Sequence, residues 1–272
     1  MVVQQPGAPF TYGTVKAGEF VLDYAEARPD APTETLVSFP GSAGLEMSPS
    51  KDILAERYRV IEINPPGWGG KDDLNRPMPM AETAQLLAEA ANQLVQDRYY
   101  ILGSSMGGVN AVYAAAAHPE RVKGIILEGG MAPAREQDVI VPPPPRPEPD
   151  APVQAPFQSE GAPQYPQPPV NPKKPWATDE FIANQMANRF KMIAWVAPEF
   201  LPEDALKSLT DLRLPVLALL GDQDEILRPS QREAFATYLP HADFRFVAGG
   251  MHDLQNINVA EFVALVEEFL NR

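Results

Sequence analysis

The chain has 272 residues, of which 44% are hydrophobic and 21% charged, and its net charge at pH 7 is -14. This length accommodates one large α/β domain or two small ones, and the composition is ordinary for a globular protein. The acidic balance disfavours nucleic acids and anionic membrane surfaces as partners, because both need a basic patch. The absence of cysteine excludes disulfide frameworks, thiol nucleophiles and cysteine-rich metal sites.

The amino terminus and the apolar runs bear on the location of the protein. Residues 1–9 have no basic region and no apolar core, so they do not resemble a secretory signal. No stretch approaches the roughly 20 apolar residues that a membrane helix needs. We therefore expect a cytoplasmic protein with no membrane partner. The sequence carries no signal for the oligomeric state.

Short apolar strands alternate with amphipathic helices along most of the chain. Residues 10–16 and 19–25 have period-2 character and predict an antiparallel pair joined by a tight turn. Further strands are predicted at residues 35–39, 58–63, 99–102, 122–127, 216–220 and 244–247. Helices are predicted at residues 49–57, 81–96, 109–117, 178–196, 230–238 and 259–270. This alternation predicts an α/β fold with a mostly parallel, eight-stranded sheet, helices on both faces and an antiparallel edge.

A proline-rich region interrupts the alternation. Residues 142–175 contain fourteen prolines in thirty-four positions. Proline has no N–H to donate, so this segment does not suit helix or sheet and favours extended polyproline conformations. We interpret residues 132–211 as a proline-rich cap inserted over the sheet edge, with residues 1–131 and 212–272 as the core. A disordered surface loop is the alternative for the proline run itself.

A candidate nucleophile lies between a strand and a helix. Gly103-Ser104-Ser105-Met106-Gly107 matches the pattern G-x-S-x-G. An apolar strand leads directly into this stretch and an alanine-rich helix leads out, which is the context that a nucleophile elbow requires. The helix amino terminus presents N–H groups and a positive dipole end toward a developing oxyanion. A glycine-rich turn with a serine cap is the alternative for the motif.

Three histidines are the candidates for a base. His118 follows the alanine-rich helix and precedes a proline, and His241 lies in a turn before the last strand. His252 follows the last strand, so it shares with Ser105 the carboxyl edge of the parallel sheet, where active sites form. Elimination therefore favours His252.

The base needs an acid that holds its tautomer and stabilises the imidazolium. Asp222 and Asp224 follow the strand at residues 216–220, and each is also suited to cap the next helix. Glu128, at the end of the strand before the insertion, is a third candidate on the same edge. The order of nucleophile, acid and histidine along the chain holds for all three.

These motifs resemble the α/β-hydrolase superfamily over nearly the whole chain, and most of all its single-domain esterases and the carbon–carbon bond hydrolases of ring-fission products. In that family the acid ends a G-x-x-D stretch after the seventh strand, which selects Asp224 here. The resemblance also implies that the N–H groups of Ser42 and Met106 form the oxyanion hole. The family's His-Gly-x oxyanion loop is Pro40-Gly41-Ser42 in this chain, so its histidine is absent.

The resemblance implies acyl transfer by a serine hydrolase, with Ser105 as nucleophile, His252 as base and Asp224 as the orienting acid. We expect it to cleave a carboxylic ester of a small substrate, because that is the commonest use of such a site. A carbon–carbon bond hydrolase is the alternative, and a thioesterase, amidase or lactonase would use the same groups. From another class, a ligand-binding receptor or binding module on the same fold is a further alternative.

Neither an organic cofactor nor a metal ion is expected at this site, because the few histidines are scattered along the sequence. Selectivity for the small-molecule substrate is expected from the insertion and from the loop around Trp68. We predict that Trp68 contacts the substrate, and ordinary packing against the sheet is the alternative.

Overall fold

The computed structural model describes residues 5–69, 71, 74, 76–140, 174, 176–197 and 199–272. The strands are β1 Thr11–Ala17, β2 Phe20–Ala27, β3 Thr35–Phe39, β4 Arg59–Ile63, β5 Met78–Pro79, β6 Tyr99–Ser104, β7 Val122–Glu128, β8 Val196–Ala197, β9 Val216–Gly221 and β10 Asp243–Val247. The α-helices are α1 Pro49–Leu54, α2 Met80–Leu94, α3 Met106–Ala117, α4 Asp179–Trp195, α5 Glu203–Asp211, α6 Gln231–Tyr238, α7 Leu254–Ile257 and α8 Val259–Leu270. The proline-rich run of residues 142–175 lies outside the described residues apart from Lys174, so its conformation stays a prediction.

Eight strands form one sheet in the order β1-β2-β4-β3-β6-β7-β9-β10, and β5 pairs separately with β8. Within the large sheet β2 is antiparallel to both β1 and β4, and all other neighbours are parallel. The predicted eight-stranded, mostly parallel sheet with an antiparallel edge is therefore confirmed. Its parallel strands bring their carboxyl ends to one edge, where ligand sites form in such sheets.

Helices cover both faces of the sheet and bury its apolar side chains. On one face α2, α3, α5 and α6 pack against residues such as Val37 and Ile101. On the other face α1, α7 and α8 pack against Leu36 and Ile126. Successive side chains of a strand point to opposite faces, which is why neighbours such as Leu36 and Val37 belong to different layers.

The observed helices differ from the expected ones in three places. Helix α3 begins at Met106 rather than at residue 109, because the turn after β6 takes up only Ser105. Helix α5 and the four-residue α7 were not predicted. Although α5 lies inside the predicted insertion, its buried leucines join the core on the α3 face. No described helix is long and apolar enough to cross a membrane.

A buried ion pair joins α1 to the sheet. The Lys51 ammonium contacts the Glu62 carboxylate of β4, and the two side chains are 1% and 0% exposed. Lys51 Nζ also donates to the Glu46 carbonyl oxygen at 2.8 Å, and the Glu46 N–H donates to Glu62 at 3.0 Å. Burial raises the pKa of Glu62, and the charge of Lys51 opposes that rise. Each charge therefore depends on the other for compensation away from water.

Removing one partner of this pair is expected to cost more than removing both. Glu62→Gln leaves the Lys51 ammonium buried without a counter-charge and should lower the free energy of unfolding by about 3–5 kcal/mol. The double variant Lys51→Met with Glu62→Gln leaves no buried charge at this site and should recover much of that loss. Urea unfolding of the wild type, both single variants and the double variant measures the difference. Additive losses in the double variant would contradict this account.

Candidate active site

The candidate nucleophile lies in a strained turn between β6 and α3. Ser105 has φ 50° and ψ -117°, a backbone conformation that residues other than glycine rarely adopt. The Ser105 N–H donates to the Glu128 carbonyl oxygen at 2.9 Å, and the Ser105 carbonyl oxygen accepts from the N–H groups of Gly108 and Met131. These bonds hold the strained residue in place at the carboxyl edge of the sheet.

The two glycines of the motif allow the backbones to approach closely. A Cβ on Gly107 would lie 2.0 Å from the Phe39 carbonyl oxygen at the end of β3. A Cβ on Gly103 would lie 2.5 Å from the Gly107 carbonyl oxygen. Both distances are far shorter than van der Waals contact, so the chain tolerates no side chain at either position without a shift of backbone. The motif is therefore required by packing as well as by chemistry.

His252 and Asp224 form a hydrogen-bonded pair. His252 Nδ1 lies 2.9 Å from Asp224 Oδ2 and 3.1 Å from Oδ1. Asp224 Oδ1 also accepts from the N–H groups of Ile226 and Leu227, both at 2.8 Å, which holds the carboxylate in its orientation. The other two candidate acids bind elsewhere: Asp222 accepts from the Gly249 N–H, and the Glu128 carboxylate accepts from Ser104 and Leu254.

A polar cavity brings the candidate nucleophile and base together. Ser105 and His252 both line it, and its volume is about 100 Å³. Among the described residues, the Ser105 hydroxyl has no hydrogen-bond partner within 3.5 Å. The hydrogen bond between a catalytic serine and its histidine is often long without substrate and shortens when substrate binds.

The charge of His252 is controlled by the acids around it. Burial lowers its pKa, but the charge and hydrogen bond of Asp224, together with the charges of Glu128 and Glu225, raise it to about 9. His252 Nδ1 is therefore held in a strong pairing with Asp224, and the imidazolium form is favoured. The neutral form, which a base needs, becomes more populated as the pH rises.

The two predicted oxyanion donors, Ser42 and Met106, lie close to the nucleophile. Met106 is the first residue of α3, and Ser42 lines the cavity. Outside the regular pairing of helices and strands, neither the Ser42 N–H nor the Met106 N–H donates a hydrogen bond to any described residue. A Cβ on Gly41 would lie 3.2 Å from the Ser105 Cβ, so this loop passes directly beside the nucleophile. Both N–H groups are suited to a developing oxyanion.

Trp68 does not contact the cavity, contrary to the sequence-based expectation. Its side chain is 1% exposed and belongs to the core, and it does not line this cavity. Its Nε1–H donates to the Ser42 carbonyl oxygen at 3.0 Å. Trp68 therefore fixes the loop that carries a candidate oxyanion donor.

Comparisons with known proteins identify the family and the fold of this chain. A family profile described as alpha/beta hydrolase fold matches residues 38–186, more than half of the chain. The chain belongs to the alpha/beta hydrolase fold family. Solved members with this fold include a meta-cleavage product hydrolase from Pseudomonas fluorescens IP01, with a TM-score of 0.67 and 17% identity over 95% of this chain and 97% of that one. A carboxylesterase from Bacillus subtilis has a TM-score of 0.64 and 15% identity over 96% of this chain and 91% of that one.

Curated relatives match over shorter segments. A 2-hydroxy-6-oxononadienedioate/2-hydroxy-6-oxononatrienedioate hydrolase from Cupriavidus pinatubonensis is 38% identical over 79 residues, which are 29% of this chain and 27% of the relative. The same-named hydrolase from Paraburkholderia phymatum is 35% identical over 116 residues, 40% of each chain. The alignments thus span well under half of these relatives' length.

Helix α4 and Lys174, which both belong to the predicted insertion, contact the α/β-hydrolase core through polar side chains. Asn188 Nδ2 donates to the Ala43 carbonyl oxygen at 2.7 Å, next to Ser42. Lys174, before the helix, pairs with the Glu46 carboxylate and lies 2.9 Å from Asp253 Oδ2. The sequence does not predict these contacts, because single lysines and asparagines in or near a helical segment carry no signal for partners so distant in sequence.

Replacement of Gly107 should damage the fold more than replacement of its neighbour. Gly107→Ala drives a methyl group into the Phe39 carbonyl, whereas a Cβ on Gly108 would meet the Gly130 Cα at 2.9 Å. We expect Gly107→Ala to lower the free energy of unfolding by about 3 kcal/mol or more, and Gly108→Ala by about 1 kcal/mol. Urea unfolding of both variants measures the order. Equal losses of unfolding free energy in the two variants would show that the close approach at Gly107 does not restrict the side chain there more than at Gly108.

The reaction of Ser105 should depend on pH through His252. Because the pKa of His252 is raised to about 9, the neutral base is scarce at pH 7 and the rate should rise through about pH 9. The measurement is the rate of covalent labelling by a fluorophosphonate between pH 5 and 10, with Ser105→Ala as the unreactive control. Asp224→Asn removes the main charge that raises the pKa of His252. The labelling rate of this variant, although smaller, should therefore become constant at a lower pH than that of the wild type. A wild-type rate that is already constant above pH 7 would contradict the raised pKa.

Proposed function

We propose that this α/β-hydrolase uses Ser105, His252 and Asp224 to cleave a carbon–carbon bond beside an oxo group in a small, carboxylate-bearing substrate. The observation that carries the proposal is Arg189 on the wall of the same cavity, a cation that has no ionic partner among the described residues. The relatives described above support it, since they are named as hydrolases of a nine-carbon dicarboxylate with an oxo group. The bond proposed here differs from the carboxylic ester expected from the sequence.

Arg189 is the cavity cation whose charge remains available. Lys51 is paired with Glu62, and Lys174 with Glu46 and Asp253. Arg189, half-buried on α4, has no hydrogen bond or ion pair to any residue that the structure describes. A guanidinium binds a carboxylate through two parallel hydrogen bonds, so it both attracts and orients an anionic substrate. An anion bound there would lie in the cavity that Ser105 and His252 share.

The proposed reaction proceeds by acyl transfer. His252 takes the proton of the Ser105 hydroxyl while the oxygen forms a bond to the oxo carbon, and the N–H groups of Ser42 and Met106 stabilise the oxyanion. The carbon–carbon bond then breaks, its electron pair stays on the leaving carbon, and the His252 imidazolium supplies the proton. Water, deprotonated by His252, finally cleaves the acyl–serine bond and releases the acid. The raised pKa of His252 keeps the proton available for the leaving carbon.

Ester hydrolysis is the second candidate. It needs the same nucleophile, base and N–H donors, and its leaving oxygen is easier to expel than carbon. The polarity of the cavity favours short esters of carboxylate-bearing acids over long acyl chains, since charged side chains from α1, β4 and the insertion line it. The two candidates therefore differ in the bond that breaks and share the anion that Arg189 binds.

The test compares one dicarboxylate with one neutral ester. Wild-type protein should hydrolyse 2-hydroxy-6-oxononadienedioate, and Ser105→Ala should abolish turnover. Arg189→Gln should raise the KM for this substrate about 10- to 100-fold, the loss expected for a charge-assisted hydrogen bond of roughly 1.5–3 kcal/mol. The same variant should leave the KM for p-nitrophenyl acetate unchanged, and Arg189→Lys should be intermediate.

Two outcomes would contradict the proposal. Turnover of p-nitrophenyl acetate without any turnover of the dicarboxylate would favour ester hydrolysis. An equal rise in KM for both compounds in Arg189→Gln would show that Arg189 supports the fold of the site rather than binding a carboxylate. Thermal unfolding of each variant serves as the control for folding.

A further inference from the structure

Glu128 forms hydrogen bonds with Ser105 and with residues close to Ser105 and His252 in the sequence. It ends β7 and is 1% exposed. Its carboxylate accepts a hydrogen bond from the hydroxyl of Ser104, the residue before the nucleophile. Its other oxygen accepts from the Leu254 N–H at 2.7 Å, two residues after the base. Its backbone carbonyl accepts from the Ser105 N–H at 2.9 Å. Glu128 therefore contacts both the segment that carries Ser105 and the segment that follows His252.

A buried glutamine completes this connection. Gln255 Nε2 donates to the Ser104 hydroxyl oxygen at 2.9 Å and lies 3.5 Å from Glu128 Oε2. The carbonyl oxygen of Gln255 accepts from the Ser50 hydroxyl at 2.7 Å, and its side-chain oxygen accepts from Ser48. The polar atoms around the Glu128 carboxylate are thus largely committed to one another, and such networks hold a single geometry when they are satisfied.

Glu128 does not take the part of the orienting acid, since Asp224 holds His252 Nδ1. Glu128 lines the same cavity as His252, and a Cβ on the next residue, Gly129, would lie 3.1 Å from His252 Nδ1. The charge of Glu128 therefore acts on His252, whose pKa it helps to raise. Burial first, and then the charge of Asp253, raise the pKa of Glu128 to about 7, while His252 opposes that rise. The other charged groups that line the cavity with Glu128 are Lys51 of α1, Glu62 of β4, Glu46 of the loop after β3, and Lys174 and Arg189 of the insertion.

We propose that Glu128 is a positioning residue that ties the nucleophile elbow to the histidine loop, residues 248–253, and supplies a second negative charge to the imidazolium of His252. The inference rests on the proposed role of Ser105 and His252. It assigns two separable effects to one carboxylate. The hydrogen bonds to Ser104 and Leu254 set the geometry, and the charge sets the pH at which the base becomes available.

Fluorophosphonate labelling measures both effects without a natural substrate. The reagent reports the rate at which Ser105 attacks, and its dependence on pH reports the ionisation of His252. Glu128→Gln removes the charge and keeps the size, so the midpoint of the pH profile should fall by about one pH unit. Ser104→Ala keeps the charge and removes one hydrogen bond. It should leave the midpoint in place and lower the maximal rate roughly tenfold.

The control variant removes a carboxylate far from the cavity. Glu120, 67% exposed after α3, lies near the end of that helix opposite to the nucleophile, so Glu120→Gln should change neither quantity. A lower maximal rate with an unchanged midpoint in folded Glu128→Gln would reduce Glu128 to an ordinary structural residue and overturn the proposal. If Glu128→Gln does not fold, Glu128→Asp tests the hydrogen bonds to Ser104 and Leu254: a lower maximal rate supports the positioning role, and a fully unchanged profile overturns the proposal.

Failure of the proposed function has a different signature. Wild-type protein that is not labelled, or labelling that persists in Ser105→Ala, would overturn the role of Ser105 and with it the role of Glu128. A labelled wild type whose profile is not altered by Glu128→Gln overturns the role of Glu128 alone.

Discussion

The close approach of two backbones at Gly107 is the constraint on which the site depends. The end of β3 and the start of α3 touch there, with no room for a side chain between them. The chain leaving β3 becomes the loop that carries Ser42, and the chain entering α3 carries Ser105 and Met106. This contact therefore holds the loop of Ser42, a candidate oxyanion donor, close to Ser105. The positive φ of Ser105 follows from the same geometry, because only one residue joins β6 to α3.

Charge compensation is the second organising feature, and it shapes what the cavity can accept. Its lysines are each paired with buried or half-buried acids, which removes most of the cost of placing ammonium groups away from water. The base is similarly surrounded by carboxylates, of which Asp224 makes the direct contact. Arg189 alone among the described cations of the cavity keeps its charge for a ligand. This difference between the cations supports the proposed anionic substrate in a protein that is strongly acidic overall.

The sequence predicts much of this arrangement because local signals coincide with it. The period-2 and 3.6-residue patterns located the strands of the large sheet and most helices, and the turn pattern placed Ser105 between β6 and α3. The shared sheet edge left three candidate acids for His252, and only the family resemblance selected Asp224 among them. Trp68 was assigned wrongly because an aromatic residue in a glycine-rich loop has the same composition whether it lines a cavity or packs beneath one. The contacts of Lys174 and Arg189 depend on how α4 docks, which no local pattern encodes.

The bridge from Lys174 to Glu46 and Asp253 has a consequence for the evolution of the predicted cap. Insertions at this position of a fold are usually regarded as exchangeable modules, since the core can fold around many of them. Here the module supplies the counter-charge for two acids of the core, one of which directly follows His252. Exchange of the insertion alone would leave those acids facing each other beside the base. The cap and the histidine loop are thus expected to change together along a lineage, as one inherited unit.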